Sequence, residues 1–347
     1  MALTREFGAA DLNEWREFLI FDPLASLLES GNQAIEYFVH RDLSGETFGP
    51  VQQVWELAEA ERILRGQGED GGWPRPGKRQ EGNDVTNHTL IETWKRFLIL
   101  IDKFEFNRDH PQIEEAAEYI FSCQTEAGDI RGMIGNQYAT YYTGAFIALL
   151  IKAGYAEDPR IEKGFQWLLN MRQEDGGWSI PMITHKFDRE TQYRLVTEDV
   201  LPVEPDRSKP FSHNWTGMVL RAFAAHDRYR QTDAAKRAAV LLKSRFFQKD
   251  AYSSYQSPGY WVRFEHPFWW NNLVSALDTL SRLGLSVEDP QIRNGLDWLV
   301  EHQQEDGLWR LNYNKNEEKN TPKIMEKQLW VTLAICRIFK RFSDSRD

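Results

Sequence analysis

Hydrophobic residues recur along most of this chain at the spacing of an α-helix that is buried on one side. After Pro159, for example, Ile161, Phe165 and Leu168 follow one another at intervals of four and three residues, which is the repeat of one helical face. Proline suits the first turn of such a helix, and the glycine pair at 176–177 predicts its end. This helical periodicity is far clearer than any alternation typical of strands.

The same segment occurs more than once. Residues 157–178 (EDPRIEKGFQWLLNMRQEDGGW) align without a gap to residues 288–309 (EDPQIRNGLDWLVEHQQEDGLW). Residues 65–74 repeat the ending, residues 109–130 form a weaker copy without the last tryptophan, and a degenerate copy lies near residues 234–252. Self-similarity of this kind predicts a repeat architecture, in which each unit is one pair of helices.

A second apolar helix, richer in aromatic and small residues, follows each copy, and we interpret it as the inner helix of the pair. The five candidates are residues 84–101, 138–155, 212–226, 268–284 and 326–342. The N-terminal segments LNEWREFLIFDPLASLLES and NQAIEYFVHRDL supply a further pair. About six pairs can close a ring of inner helices inside a ring of outer ones.

The predicted fold class is therefore all-α, an α/α toroid. Residues 1–50 are expected to hold the N-terminal helices, as the first hairpin of the toroid. Residues 51–347 are expected to form the remainder of a single toroid domain.

Composition and charge exclude several classes of function. The chain has 347 residues, and its net charge of −10 disfavours a nucleic-acid partner, because phosphate binding needs clustered Lys and Arg. The cysteines are Cys123 and Cys336, so a disulfide framework or a thiolate zinc cluster is not expected. Neither a signal peptide nor a long apolar run is apparent. We expect a cytoplasmic protein without a metal or cofactor.

The Gln-Glu-Asp-Gly-Gly-Trp endings resemble the QW repeats of the terpene cyclase and protein prenyltransferase superfamily, which includes squalene–hopene cyclase. The resemblance covers roughly residues 50–342 and implies the α/α toroid fold. In that family the QW repeats tie helices together away from the chemistry. The resemblance therefore implies that Glu174 and Asp175 are loop and cap residues rather than catalysts. The glycines at 176–177 can adopt a positive φ and end the helix, which lets Trp178 fold back against neighbouring helices.

The family's catalytic motifs are missing from this chain. Neither Asp-x-Asp-Asp, which supplies the acid in the family's cyclases, nor Asp-Asp-x-x-Asp occurs. The Asp, Cys and His pattern that binds zinc in protein prenyltransferases is absent as well. The chain spans one toroid, whereas squalene-type cyclases use two. These absences leave open whether the protein is catalytic.

Aromatic residues at the starts of the inner helices are candidates for a ligand cavity. The substrate-binding candidates are Tyr138, Tyr142, Trp215, Trp269, Trp270 and Trp330, with Tyr141 beside them. Such rings line apolar pockets and stabilise carbocations with their π faces. The alternative is that they only fill the core of the helical ring.

Three residues are candidates for catalysis. Asp84 opens an inner helix at the position where the family's cyclases carry their acid, and His88 follows one turn later. Helix N-capping would explain Asp84 equally well. His213 opens another inner helix together with Asn214, and its alternative is a structural histidine. Residues 179–212 interrupt the repeat and are rich in prolines and acids, so they are expected to form an irregular loop, either a lid that carries an acid or a solvated insertion.

Three functions remain open. The first is a terpene cyclase-like protein that binds an isoprenoid or similar apolar chain in an aromatic cavity and cyclises it by acid initiation. The second is a non-catalytic toroid that binds an apolar ligand or a partner protein. The third is a carbohydrate-active toroid resembling polysaccharide lyases, in which Tyr and Trp stack on sugars and His213, Asn214 and a Tyr abstract a proton. An apolar small molecule is the expected partner, while a protein partner, a homo-oligomer and peripheral membrane contact stay open.

Overall fold

The computed structural model describes residues 14–77, 85–252, 257–314 and 321–344. Its α-helices are α1 Leu24–Leu28, α2 Gln33–Phe38, α3 Ala58–Leu64, α4 His88–Phe104, α5 Pro111–Ser122, α6 Thr140–Leu150, α7 Pro159–Asn170, α8 Arg189–Thr197, α9 His213–Ala225, α10 Asp233–Lys243, α11 Leu273–Arg282, α12 Pro290–Glu301 and α13 Pro322–Asp344. Shorter elements are the 3-10 helices Glu14–Phe18, Val51–Val54, Pro181–Thr184, Tyr229–Gln231 and Pro258–Val262, the π-helical turns Val39–Leu43 and Ile151–Tyr155, and the strand Met133–Asn136 (β1).

The predicted all-α class is confirmed. Each of the five inner-helix candidates contains a helix, namely α4, α6, α9, α11 and α13, and the helices α3, α5, α7, α10 and α12 alternate with them along the chain. The inner helix α9 is almost entirely buried, since Arg221 and Ala225 are its only residues that are not buried. It packs so closely on α6 that a Cβ atom added to Gly144 would lie 2.7 Å from Cα of Val219.

The chain divides into two compact units. The first is built from the described residues of Met1–Pro50, Arg263–His266 and Gly284–Asp347. The second is built from those of Val51–Val262 and Pro267–Leu283. The second unit holds α3 to α11, and therefore four of the five predicted inner helices.

The tryptophan that ends each motif turns back onto its own outer helix. The indole N–H of Trp178 donates to the carbonyl oxygen of Leu168 at 2.7 Å, and Trp73 and Trp309 make the same bond, also at 2.7 Å, to the residue ten positions earlier. The Trp178 side chain is fully buried. The predicted structural role of this tryptophan is therefore supported by its contacts.

A buried threonine of the following inner helix completes this connection. The backbone N–H of Trp178 donates to Oγ1 of Thr216 in α9 at 2.8 Å. The equivalent bonds join Trp73 to Thr93, Ile130 to Thr143 and Trp309 to Thr332. Each motif thus ties an outer helix to the inner helix of the same pair.

The acids and glycines of the motif shape its loop. Oδ1 of Asp175 accepts the N–H of Gly177 at 3.0 Å, and Oδ2 accepts the N–H of Phe211 at 2.8 Å. In the weaker copy Gly128 has a φ of +110°, and an added Cβ would lie 2.4 Å from the carbonyl oxygen of Lys163 in the next outer helix. Asp175 is thus a loop residue, as the resemblance implies, and the glycine allows consecutive units to touch.

The interrupting segment 179–212 is only partly irregular. It contains the 3-10 helix Pro181–Thr184 and the helix α8, which the sequence did not predict. The stretch from Glu198 to Ser212 is irregular, as expected from its prolines. Two of its acids contact residues that precede α6. Asn136 donates to Asp199 at 2.9 Å, and the Tyr138 hydroxyl donates to Glu204 at 3.3 Å. The lid function stays a prediction.

Candidate ligand-binding site

Six aromatic rings of the second unit form one connected group, which we call the aromatic cluster. Its members are Trp94, Tyr141, Tyr142, Trp215, Trp269 and Trp270. Tyr141 is its centre, with ring centroids 4.2 Å from Tyr142, 4.4 Å from Trp215 and 6.1 Å from Trp270. The tilted arrangements at these separations are those that aromatic pairs favour.

The cluster is placed by the beginnings of the inner helices. Tyr141 and Tyr142 lie in the first turn of α6, and Trp215 lies in the first turn of α9. Trp269 and Trp270 precede α11. Trp94 in α4 connects Trp269 to the other rings, because its ring centroid is 5.1 Å from that of Tyr142 and 5.2 Å from that of Trp269.

The rings of the cluster differ in accessibility. Trp94, Tyr141 and Trp215 are buried, with at most 5% of each residue exposed. Tyr142, Trp269 and Trp270 are half-buried. Burial also raises the pKa of the Tyr142 hydroxyl, which therefore stays protonated near neutral pH. The cluster thus has a packed base and accessible aromatic surface, as a pocket for an apolar ligand requires.

Four of the six predicted substrate-binding residues, Tyr142, Trp215, Trp269 and Trp270, lie in the cluster. The Tyr138 ring instead lies 5.7 Å from Trp167 of α7, with the Arg131 guanidinium over it at 4.8 Å. Trp330 belongs to the first unit, where its ring stacks on His266 at 5.6 Å. The roles of Tyr138 and Trp330 in binding stay predictions.

The predicted acid, Asp84, lies outside the described residues. The helix that it was expected to open begins at His88, and its N-cap is Asn87, whose Oδ1 accepts the N–H of Leu90 at 2.9 Å. The side chain that caps this helix is therefore that of Asn87. His88 lies in the first turn of α4, where its Nε2 is 3.1 Å from a guanidinium nitrogen of Arg75.

His213 is buried at the start of α9 beside an aspartate that the sequence analysis missed. Its Nδ1 is 3.4 Å from Oδ2 of Asp250, and its ring lies 4.6 Å from that of Trp261. Asp250 also accepts a hydrogen bond from the Ser212 hydroxyl at 2.8 Å and one from the backbone N–H of Asn214 at 3.2 Å. These donors make Asp250 a structural anchor for the first turn of α9.

Burial lowers the pKa of His213 to about 4; Asp250 opposes this shift and Arg245 adds to it. His213 is therefore neutral at pH 7. The pKa of His213 is lower in the folded protein than in the unfolded chain. Its contribution to stability is therefore fully present above the pKa of the unfolded chain, and it is lost as the pH falls towards the pKa of the folded protein.

We expect the free energy of unfolding to fall by about 2 kcal/mol between pH 7 and pH 5 because of this group. Urea titrations of the wild type and of His213→Gln at both pH values would measure the contribution, since the variant keeps a polar side chain but cannot titrate. Equal losses of stability in the two proteins would contradict the assignment.

The described part of the chain offers no other arrangement typical of a catalytic or metal centre. Asp129 and Asp250 are its buried carboxylates, and Asp129 is paired with Arg131 at 2.9 Å. No group of three or more His, Cys, Asp or Glu side chains in these residues could hold a metal ion. No helix within the described ranges is long and apolar enough to cross a membrane.

Comparison with known proteins confirms the resemblance that the repeats indicate. The family model of the squalene–hopene cyclase C-terminal domain matches residues 81–198. A squalene–hopene cyclase from Bradyrhizobium diazoefficiens is 26% identical over 196 residues, which is 51% of this chain. The match spans only 26% of that enzyme.

Similar solved structures are more distant in sequence. A protein from Actinoplanes shares 15% identity, with 92% of this chain and 99% of that chain covered and a TM-score of 0.42. A variant of the type II terpene cyclase MstE from Scytonema, solved with its substrate geranylgeranyl dihydroxybenzoate, shares 13% identity, with 85% and 98% covered and a TM-score of 0.30.

Proposed function

We propose that the protein binds an isoprenoid chain on the aromatic cluster of its second unit. The observation that carries the proposal is the connected group of six rings, of which Tyr142, Trp269 and Trp270 are accessible. A branched, unsaturated chain gains hydrophobic free energy on such a surface and makes additional contacts with the π faces. The resemblance to the squalene–hopene cyclase family supports this class of ligand.

Photocrosslinking tests this proposal directly. A neutral farnesyl ether that carries a diazirine should label peptides containing Tyr142, Trp215 or Trp269–Trp270, and excess farnesol should suppress the labelling. These residues are expected to react because they surround the proposed binding surface. Labelling that concentrates on other peptides, or that farnesol does not suppress, would refute binding at the cluster.

We further propose that the bound chain is cyclised by protonation, with Asp84 as the acid and His88 as an accompanying polar group, while the buried His213 contributes by fixing the first turn of α9 beside Asp250. The support is the family resemblance together with the engagement of both buried carboxylates of the described residues, Asp129 and Asp250, in other contacts. The acid must be held protonated in an apolar setting, because an ionised aspartate has no proton to donate.

Product analysis decides between catalysis and binding alone. The protein and its Asp84→Asn variant would be incubated with farnesyl, geranylgeranyl and squalene-type substrates, and cyclised products identified by mass spectrometry. Products from the wild type but not from the variant would support the acid role of Asp84. Products that persist in the variant would exclude Asp84, and no product from any substrate would favour the non-catalytic binding protein.

The carbohydrate-active alternative gains no support from the position of its proposed groups. It requires His213 and Asn214 to reach a sugar, whereas only 5% and 1% of these residues are exposed. His213 lies against Trp261 and Asp250 instead of an open surface.

A further inference from the structure

Arg221 lies deeper along the same inner helix that carries Trp215, and it holds the segment with the two accessible tryptophans. It follows Trp215 by six residues in α9, which is about 9 Å along the helix axis. Its guanidinium donates to the carbonyl oxygens of Phe268 and Trp270, both at 2.9 Å. The charge therefore lies directly beside the backbone of Trp269 and Trp270.

The carboxylates around Arg221 are each paired with another cation. Asp102 contacts Lys152 at 2.7 Å, and Asp278 contacts Arg282 at 3.1 Å. Burial lowers the pKa of Arg221, and these two aspartates only partly oppose the shift. Within the described residues, no carboxylate forms an ion pair with Arg221.

The two carbonyl oxygens do not use all the donors of this arginine. A guanidinium has five N–H groups, of which two bond to the carbonyl oxygens of Phe268 and Trp270. Unlike most of α9, Arg221 is half-buried instead of buried. Its guanidinium is nevertheless desolvated, as the lowered pKa indicates, and a desolvated arginine usually has a carboxylate partner. The positive charge of Arg221 therefore has no carboxylate partner among the described residues, although it lies next to the aromatic cluster.

We propose that Arg221 binds the carboxylate of an isoprenoid acid whose chain lies on the aromatic cluster. This inference rests on the proposed function, and it names the polar end of the ligand. The planar fork of a guanidinium matches a carboxylate in a bidentate fashion. A single uncompensated cation balances one negative charge, whereas a diphosphate carries more than one.

Comparison of ligands that differ only at the head group tests the inference. The affinities of farnesol, farnesoic acid and farnesyl diphosphate would be measured by isothermal titration with the wild-type protein. Farnesoic acid should bind at least about tenfold more tightly than farnesol, because a charge-assisted hydrogen bond is worth about 1.5–3 kcal/mol. Farnesyl diphosphate should not exceed farnesoic acid. Equal affinities for farnesol and farnesoic acid, or tighter binding of the diphosphate, would overturn the proposal.

Two variants assign the preference to this side chain. Arg221→Gln should reduce the ratio of farnesoic acid affinity to farnesol affinity to about one, because the charged contact is lost; the ratio is compared because the variant also loses hydrogen bonds to the segment of Trp269 and Trp270. Arg293→Gln is the control and should keep the preference, because Arg293 belongs to the first unit and is paired with Glu288. A preference that persists in Arg221→Gln would overturn the proposal.

The other possible outcomes of these experiments also test the proposal. If Arg221→Gln does not fold, Arg221→Lys replaces it, and an unchanged affinity of that variant for farnesoic acid would overturn the proposal, because the bidentate fork is lost. Wild-type protein that binds farnesol without preferring the acid refutes only the role of Arg221. Failure to bind any of the three ligands refutes the proposed function itself.

Discussion

Trp178→Ala is expected to lower the free energy of unfolding by about 3–5 kcal/mol, as large-to-small substitutions of fully buried aromatic residues do. The variant loses a ring with no exposed surface and the 2.7 Å bond to the carbonyl oxygen of Leu168. Urea unfolding followed by circular dichroism would measure the loss. Ligand affinity of the folded fraction should stay nearly unchanged, because Trp178 is not part of the aromatic cluster.

A matched substitution separates the ring from its hydrogen bond. Trp178→Phe keeps an aromatic ring but loses the indole N–H donor to Leu168, whose carbonyl oxygen still accepts the N–H of Met171 at 3.2 Å, so it should cost about 0.5–1.5 kcal/mol. The role assigned to the motif would be wrong if Trp178→Ala kept its stability and lost ligand binding instead.

The second large effect is expected on ligand affinity. Trp270→Ala should weaken farnesol binding at least about tenfold, because it removes accessible aromatic surface that is worth about 1.5–3 kcal/mol when a ligand covers it. The ring also contacts Tyr141, Tyr142 and Trp215. Isothermal titration of the wild type and the variant would measure the difference.

Trp298→Ala is the control for this experiment. Trp298 is also half-buried, but it lies in the first unit and stacks on His302 at 3.7 Å. Its removal should leave farnesol affinity within about twofold of the wild type, since no cluster contact is lost. Equal weakening by the two substitutions would show that the effect is not specific to the cluster.

Local sequence patterns were sufficient to predict the helix pairs. The proline before Ile161, the apolar face of α7 and the glycines after it act within one helix, so they are visible in the sequence. The same reasoning fails where local signals compete. The helix predicted from Asp84 begins instead at His88, because Asn87 is the residue whose side chain caps it. The polar helix α8 has no buried face, and hydrophobic periodicity therefore did not reveal it.

Contacts between helices could not be predicted from the sequence, because the number of residues between the two contacting positions varies from one copy of the repeat to the next. The threonine that accepts the backbone N–H of the motif lies 13 residues after Ile130 but 38 residues after Trp178. Asp250 lies 37 residues after His213, at the end of the degenerate copy of the repeat, where the motif is too altered to mark it. Trp94 was missed because an apolar helix face gives no sign of which ring reaches a neighbouring helix. Part of the aromatic cluster was predictable because its residues share the starts of inner helices.

The central claim is that the aromatic cluster binds an isoprenoid, and an equilibrium titration tests it most directly. Wild-type protein would be titrated with geranylgeraniol and with a saturated straight-chain alcohol of equal carbon number, with tryptophan fluorescence as the readout. We predict saturable binding of one geranylgeraniol per chain, tighter than that of the straight-chain alcohol, because branched unsaturated units fit among the rings. No saturable signal, or equal affinity for both alcohols, would contradict the account.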